Sequence, residues 1–140
     1  MANVAALSGF LSDASTHTFR YGHRDCLLWL CDWARVNGWP DPGAHWRGTY
    51  VTARQCWRIV KREGGLVSIL AKGMASVGVP RLLNPADALP GDIGVGYMGA
   101  PTDWGDETSL GLIRTRVGYA ALTQGGLLVG PAKLWAAWRV

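Results

Sequence analysis

Acid–base chemistry is scarce in this chain. It has three histidines, His17, His23 and His45, and none after position 45. It has three cysteines, Cys26, Cys31 and Cys56, an odd number without a CxxC pair. That count fits synthesis in a reducing cytoplasm better than a disulfide framework, and the missing pair excludes a CxxC redox centre. The histidines and cysteines lack zinc-site spacing, so no metal and no cofactor is expected. No apolar run approaches the roughly 18 residues that a membrane-spanning helix needs. Met1 to Ser12 has neither a basic start nor a continuous apolar centre, so neither a signal peptide nor membrane insertion is expected. Internal repeats and low-complexity segments are missing as well. Fourteen Lys and Arg against ten Asp and Glu give a net charge of +4. The basic residues are scattered, and the densest group, Arg54 to Arg62, reads as the solvated face of a helix; no nucleic acid partner is expected.

What is present describes one globular domain over residues 1–140. Hydrophobic residues make up 49% of the chain and charged residues 17%, enough to fill a core. The first half carries helical periods. Val4, Leu7 and Leu11 predict a short helix broken by the Ser12–Thr16 stretch. The run CLLWLCDWARV predicts a helix from Cys26 to Val36, buried at its start and ended by Asn37-Gly38. Thr52 and Gln55 read as a capping box for a helix to Glu63, stopped by Gly64-Gly65. Leu66, Leu70, Met74 and Val77 form the stripe of another, ending near Gly78 and Pro80.

After Pro80 the pattern changes to short strands. Ile93–Met98, Ser109–Thr115, Val117–Leu122, Gly126–Val129 and Leu134–Val140 are expected to form an antiparallel sheet, with a polar loop from Gly99 to Glu107. Helices followed by strands predict an α+β fold. Of the eight tryptophans, Trp29, Trp33 and Trp57 read as core. Trp39, Trp46 and Trp104 read as loop indoles available to a groove or to a neighbouring subunit.

The stretch that organises the chain is FRYGHRDC, Phe19 to Cys26. A glycine-containing polar turn delivers a cysteine to the start of a helix, and Asp25 stands where an N-cap carboxylate would. A helix N-terminus lowers a thiol pKa. Arg24 and His23 reinforce that effect, Asp25 opposes it, and a backbone N–H of the first turn is a candidate oxyanion donor. Cys31 and Cys56 read as core thiols.

This turn, followed by helices and then by Pro90-Gly91-Asp92-Ile93 opening a sheet, resembles NlpC-type cell-wall peptidases, which have a papain-like fold. Five features are similar to a phage and prophage branch of that superfamily: F-x-x-G-x-x-D-C, the Arg47-Gly48-Thr49-Tyr50 segment, the helix-ending glycine pair, the Gly91-Asp92 strand start and the terminal Ala137-Trp138-Arg139-Val140. The resemblance implies N-terminal helices packed on a C-terminal antiparallel sheet, with Cys26 as the nucleophile position. It implies a virion protein of the tail tip or baseplate hub, made in the bacterial cytoplasm. Other hub proteins would be its partners, and peptidoglycan its candidate substrate.

The resemblance also implies a histidine opening the strand after the PGD strand, in an H-[VI]-G-[IV] context. Here that segment is Ser109-Leu110-Gly111-Leu112, with Ser109 at the histidine's position. A serine does not titrate near neutral pH and cannot replace an imidazole as general base. Thr115 and Tyr119 lie in the region of the usual third polar residue. His23 and His45, and more distantly His17, are the remaining candidate bases. Two readings follow: a tail-tip structural protein with degenerate peptidase machinery, or an active cysteine endopeptidase of stem peptides that uses a histidine from the first half. A thiol acyltransferase, the third possibility, needs the same base.

Overall fold

The structure, a computed structural model, describes residues 2–99 and 109–140. The first helix, α1 (Val4–Thr16), starts at Asn3, whose side chain accepts the Ala6 N–H at 3.3 Å. It does not break at Ser12. Ser15 Oγ donates to the Ser12 carbonyl at 2.7 Å and Thr16 Oγ1 to that of Asp13 at 3.0 Å, while Ala14 is buried. Hydroxyls that would compete with a helix here bond back onto it.

α2 (Leu28–Val36) is the enclosed helix, with Leu28, Trp29, Leu30, Cys31, Trp33 and Ala34 all buried. Its regular part begins two residues later than the sequence suggests, although the Trp29 N–H already bonds the Asp25 carbonyl at 3.0 Å. α3 (Ala53–Arg62) is capped reciprocally. Thr52 Oγ1 accepts the Gln55 N–H at 3.2 Å, and Gln55 Oε1 accepts the Val51 N–H at 2.8 Å. α4 (Leu66–Val77) buries Leu66, Ile69, Leu70, Gly73 and Met74 and stops at Gly78, which has a left-handed φ of 87°.

A single 3-10 turn, Pro85–Asp87, leads into the sheet. Strands β1 (Ile93–Tyr97), β2 (Leu110–Arg114), β3 (Tyr119–Thr123), β4 (Gly126–Gly130) and β5 (Lys133–Trp138) form one antiparallel sheet in the order β4-β3-β2-β1-β5. The fold is therefore α+β, helices first and sheet second. Alternation sends Ile93, Val95, Ile113, Ala120, Leu122, Ala136 and Trp138 into the main core with the helices. Leu110, Leu112 and Ala121 form a smaller cluster on the other face. A Cβ at Gly96 would lie 2.1 Å from the Lys133 carbonyl oxygen, so a glycine is required where β5 closes against β1. The outer edge of β5 is partly covered: Leu82 N–H bonds the Ala137 carbonyl at 2.8 Å and Arg139 N–H that of Pro80 at 3.0 Å.

Trp29 and Trp33 are buried as expected, and Trp33 Nε1 donates to the Gly91 carbonyl at 2.8 Å. Two indoles depart from the expectation. Trp57, assigned to the core, is 39% exposed, because α3 buries only Cys56 and Val60. Trp46, expected as an available loop indole, is buried against α4, where a Cβ on Gly73 would stand 3.1 Å from its ring. Trp39 is half-buried. Trp104, and all but the first residue of the expected Gly99–Glu107 loop, lie outside the described residues.

Candidate functional site

The site is built around a buried carboxylate. Asp25 has no exposed surface. Its Oδ1 accepts the N–H groups of Leu27 at 3.0 Å and Leu28 at 2.9 Å, which caps α2 as the sequence indicates. Its Oδ2 accepts the Gly22 N–H at 2.9 Å and the Tyr50 hydroxyl at 2.5 Å. Four donors fill both oxygens, so the charge is buried without being left unsatisfied. Burial pushes the Tyr50 hydroxyl pKa well up, and the Asp25 charge adds to it, so Tyr50 stays a donor.

The turn is fastened to a second segment by backbone contact. Gly22 has φ 81°, and a Cβ there would sit 2.0 Å from the Tyr50 carbonyl oxygen. Gly48 N–H bonds the Gly22 carbonyl at 2.8 Å. Arg47 pins the same segment to α2. It makes a two-pronged contact with Asp41, Nε to Oδ2 at 2.9 Å and Nη2 to Oδ1 at 3.1 Å, and reaches Asp32 Oδ1 at 2.9 Å. Desolvation raises the Asp41 pKa, but the bonds from Arg47 and the Gly43 N–H outweigh it, and the net shift is downward. At Asp32 desolvation prevails and the net shift is upward. Arg47, Gly48 and Tyr50 thus each have a structural task, and together they hold the FRYGHRDC turn in place.

The sheet-side motif is likewise an interlock. Asp92 Oδ2 accepts the Leu89 N–H at 2.8 Å and pairs with Arg139 Nη2 at 3.0 Å, joining the start of β1 to the terminal A-W-R-V. Trp138 is buried under the Arg81 guanidinium, which lies 5.5 Å from its ring centre. Gly64 and Gly65, both with positive φ, end α3.

Cys26 is partly exposed at the head of α2, a thiol outside any disulfide. Strand β2 crosses this point closely: a Cβ on Gly111 would lie 2.9 Å from the Cys26 carbonyl oxygen and 2.5 Å from Leu30 Cδ1. Gly111 and Ile113 share the helix-facing side of β2, and the two-residue period places Ser109 on that side as well. Ser109 therefore directly precedes the strand that packs against the cysteine's helix.

The candidate bases are dispersed. His23 is exposed in the turn. His45 is exposed and stands edge-on to Trp46, ring centres 5.9 Å apart. His17 bonds the Asp13 carbonyl at 2.7 Å at the end of α1. Arg24 is turned toward Asp13, 3.7 Å away. Thr115 is occupied in a turn, its Oγ1 accepting the Gly118 N–H at 3.0 Å, and Tyr119 carries the Arg114 guanidinium 5.1 Å from its ring. The Leu27, Leu28 and Trp29 amides are all committed to Asp25, which removes those three as oxyanion donors. Burial pushes the Cys56 thiol up to about 12 and the Cys31 thiol further, so both are inert core thiols as expected. Among the described residues no group of three or more His, Cys, Asp or Glu is placed to hold a metal.

Sequence reasoning missed Tyr50 as the partner of Asp25, Arg47 as a clamp and Gly111 as the point of closest approach. The spacing Arg-Gly-x-Tyr was the available signal for the first two. For Gly111 it was a glycine inside an otherwise aliphatic strand.

Residues 2–140 match the model of a family described as a domain of unknown function (DUF6950), and the chain belongs to that family. No curated protein and no solved structure matches it.

Proposed function

We propose that this family member has a papain-like, NlpC-type fold and serves as a tail-tip or baseplate-hub component of a tailed phage or prophage, with a degenerate peptidase site. The observation that carries the reading is an imbalance around Cys26. The nucleophile turn is fully wired through Asp25, Gly22 and Tyr50, and β2 packs on its helix through Gly111, yet the residue just before that strand is Ser109. A thiol needs a positioned base to attack an amide, and His23 and His45 are both exposed. The motifs shared with the phage branch act as braces between segments, which favours retained architecture over retained chemistry.

The rival reading is an active endopeptidase: Cys26 attacks a stem-peptide carbonyl, a histidine takes its proton and returns it to the leaving amine, and water releases the acyl-enzyme. Two measurements separate them. Purified protein and a Cys26→Ala variant are incubated with peptidoglycan fragments; the structural reading expects no cysteine-dependent release, and such release overturns it. Mass spectrometry of purified virions should find the chain in the particle. A monomer absent from virions would sink the hub role.

A further inference from the structure

We propose that the cavity between the 45–49 segment and α3 is a binding site for a phosphoryl group. This does not rest on the tail-tip reading or on Cys26. The cavity holds about 440 Å³, within the range of small-ligand pockets. Trp46 and Ile59 supply apolar wall, and the polar lining is Arg58, Arg62, Gln55, His45 and Thr49, whose hydroxyl already donates to the Trp46 carbonyl at 2.6 Å. Arg58 and Arg62 present two guanidinium groups one helical turn apart. Gln55 lines the same wall; its Oε1 is taken by the Val51 N–H, so what it has left to offer is its NH₂. His45 faces them across the cavity, and no carboxylate is among the described lining residues.

Trp46 is 6% exposed, and its indole Nε1–H is buried without a hydrogen-bond partner among the described residues. That N–H is enclosed, so what Trp46 offers the cavity is apolar ring surface.

Part of the positive charge in and beside the cavity is uncompensated. Arg54, Arg58 and Lys61 have no ion-pair partner among the described residues. Glu63, the nearest acid along the chain, is held by Lys72 at 2.5 Å and lies 4.0 Å from Arg62. Arg54, Arg58 and Arg62 repeat every four residues, a like-charge spacing that weakens an isolated helix. Two guanidinium forks and an amide NH₂ exceed what one carboxylate takes; they suit a tetrahedral oxyanion with three free oxygens. Arg54 and Lys61 extend the positive field beyond the cavity along α3.

The test is a titration of isotopically labelled protein with inorganic phosphate at constant ionic strength, balanced by chloride, following the indole and arginine N–H resonances. The Trp46 indole signal should move and saturate. In an Arg58→Gln/Arg62→Gln double variant, whose remaining amide spectrum reports an intact fold, the affinity should fall by about tenfold or more. Glycerol 3-phosphate and a single-stranded oligonucleotide distinguish sources; tighter binding than inorganic phosphate by either supports the site and names the carrier. Shifts that stay linear, that persist unchanged in the double variant, or that saturate with acetate and not with phosphate overturn the proposal.

Discussion

The turn that presents Cys26 and the strand that crosses it lie against each other but use their polar groups in opposite ways. In the turn every acceptor of Asp25 is filled, and Gly22 and Tyr50 meet at a distance that admits only hydrogen at Cα. On the strand, Gly111 keeps the close packing, and just before it Ser109 stands where the proposed NlpC-type reading would put the base. On that proposed reading, shape is kept on both sides while the base is missing from one. Architecture and catalysis in such a site are separable because different atoms hold them. Backbone contacts and a buried carboxylate fix the geometry, whereas a single exchangeable side chain at a strand end would supply the proton transfer.

Substitutions can break this comparison, and the largest effect belongs to the turn. Asp25→Ala would strand four donors, three of them backbone amides of the turn. We expect a loss of about 3–5 kcal/mol in denaturant unfolding; an unchanged midpoint would show that the carboxylate is no keystone. Gly22→Ala forces both a left-handed φ and a clash with Tyr50, and should cost about 2–4 kcal/mol. Gly111→Ala meets Leu30 and the Cys26 carbonyl and should cost about 1–3 kcal/mol, a test of whether the strand side is packed as tightly as the turn. An Asp41→Asn variant probes the clamp by pH. The folded-state pKa of Asp41 lies below its ordinary value, so its contribution is present above the usual carboxylate range and lost as pH falls through the depressed pKa. Unfolding curves at neutral and acid pH should therefore converge in the variant relative to the parent chain. Ser109→His should change stability least, within about 0.5 kcal/mol, and sharpen the comparison most. If only the base is missing, this variant gains thiol reactivity toward an alkylating probe at neutral pH, and Ser109→Gln does not.

Much of the fold was legible because it rests on local signals. The Asn37-Gly38 stop, the Thr52/Gln55 cap and the alternation of Ile93 and Val95 each act within a few residues, and each element formed where its signal stood. The misjudgements came from longer range. Ser12–Thr16 reads as a breaker until hydroxyls bond back to carbonyls and Ala14 finds a core to enter. Trp46 and Trp57 exchanged places between core and surface, because one loop folds onto α4 and only one narrow face of α3 is covered. At the site, the cap role of Asp25 could be read from its place before an apolar helix. Its bond to Tyr50 could not, since a contact across twenty-five residues leaves no periodicity to detect.

The pairing of β1 with β5 sets an order of events in time. Ile93 lies beside Trp138, and the hairpins β2–β3 and β3–β4 are made in the interval between them. A ribosome releases both hairpins and helices α1 to α4 before it releases β5, the strand that pairs with the free edge of β1. Until then β1 carries an unpaired edge, and the cavity that Trp138 fills stays open. Contacts of such long sequence separation form slowly. The nascent chain is therefore most exposed to misassociation just before β5 emerges.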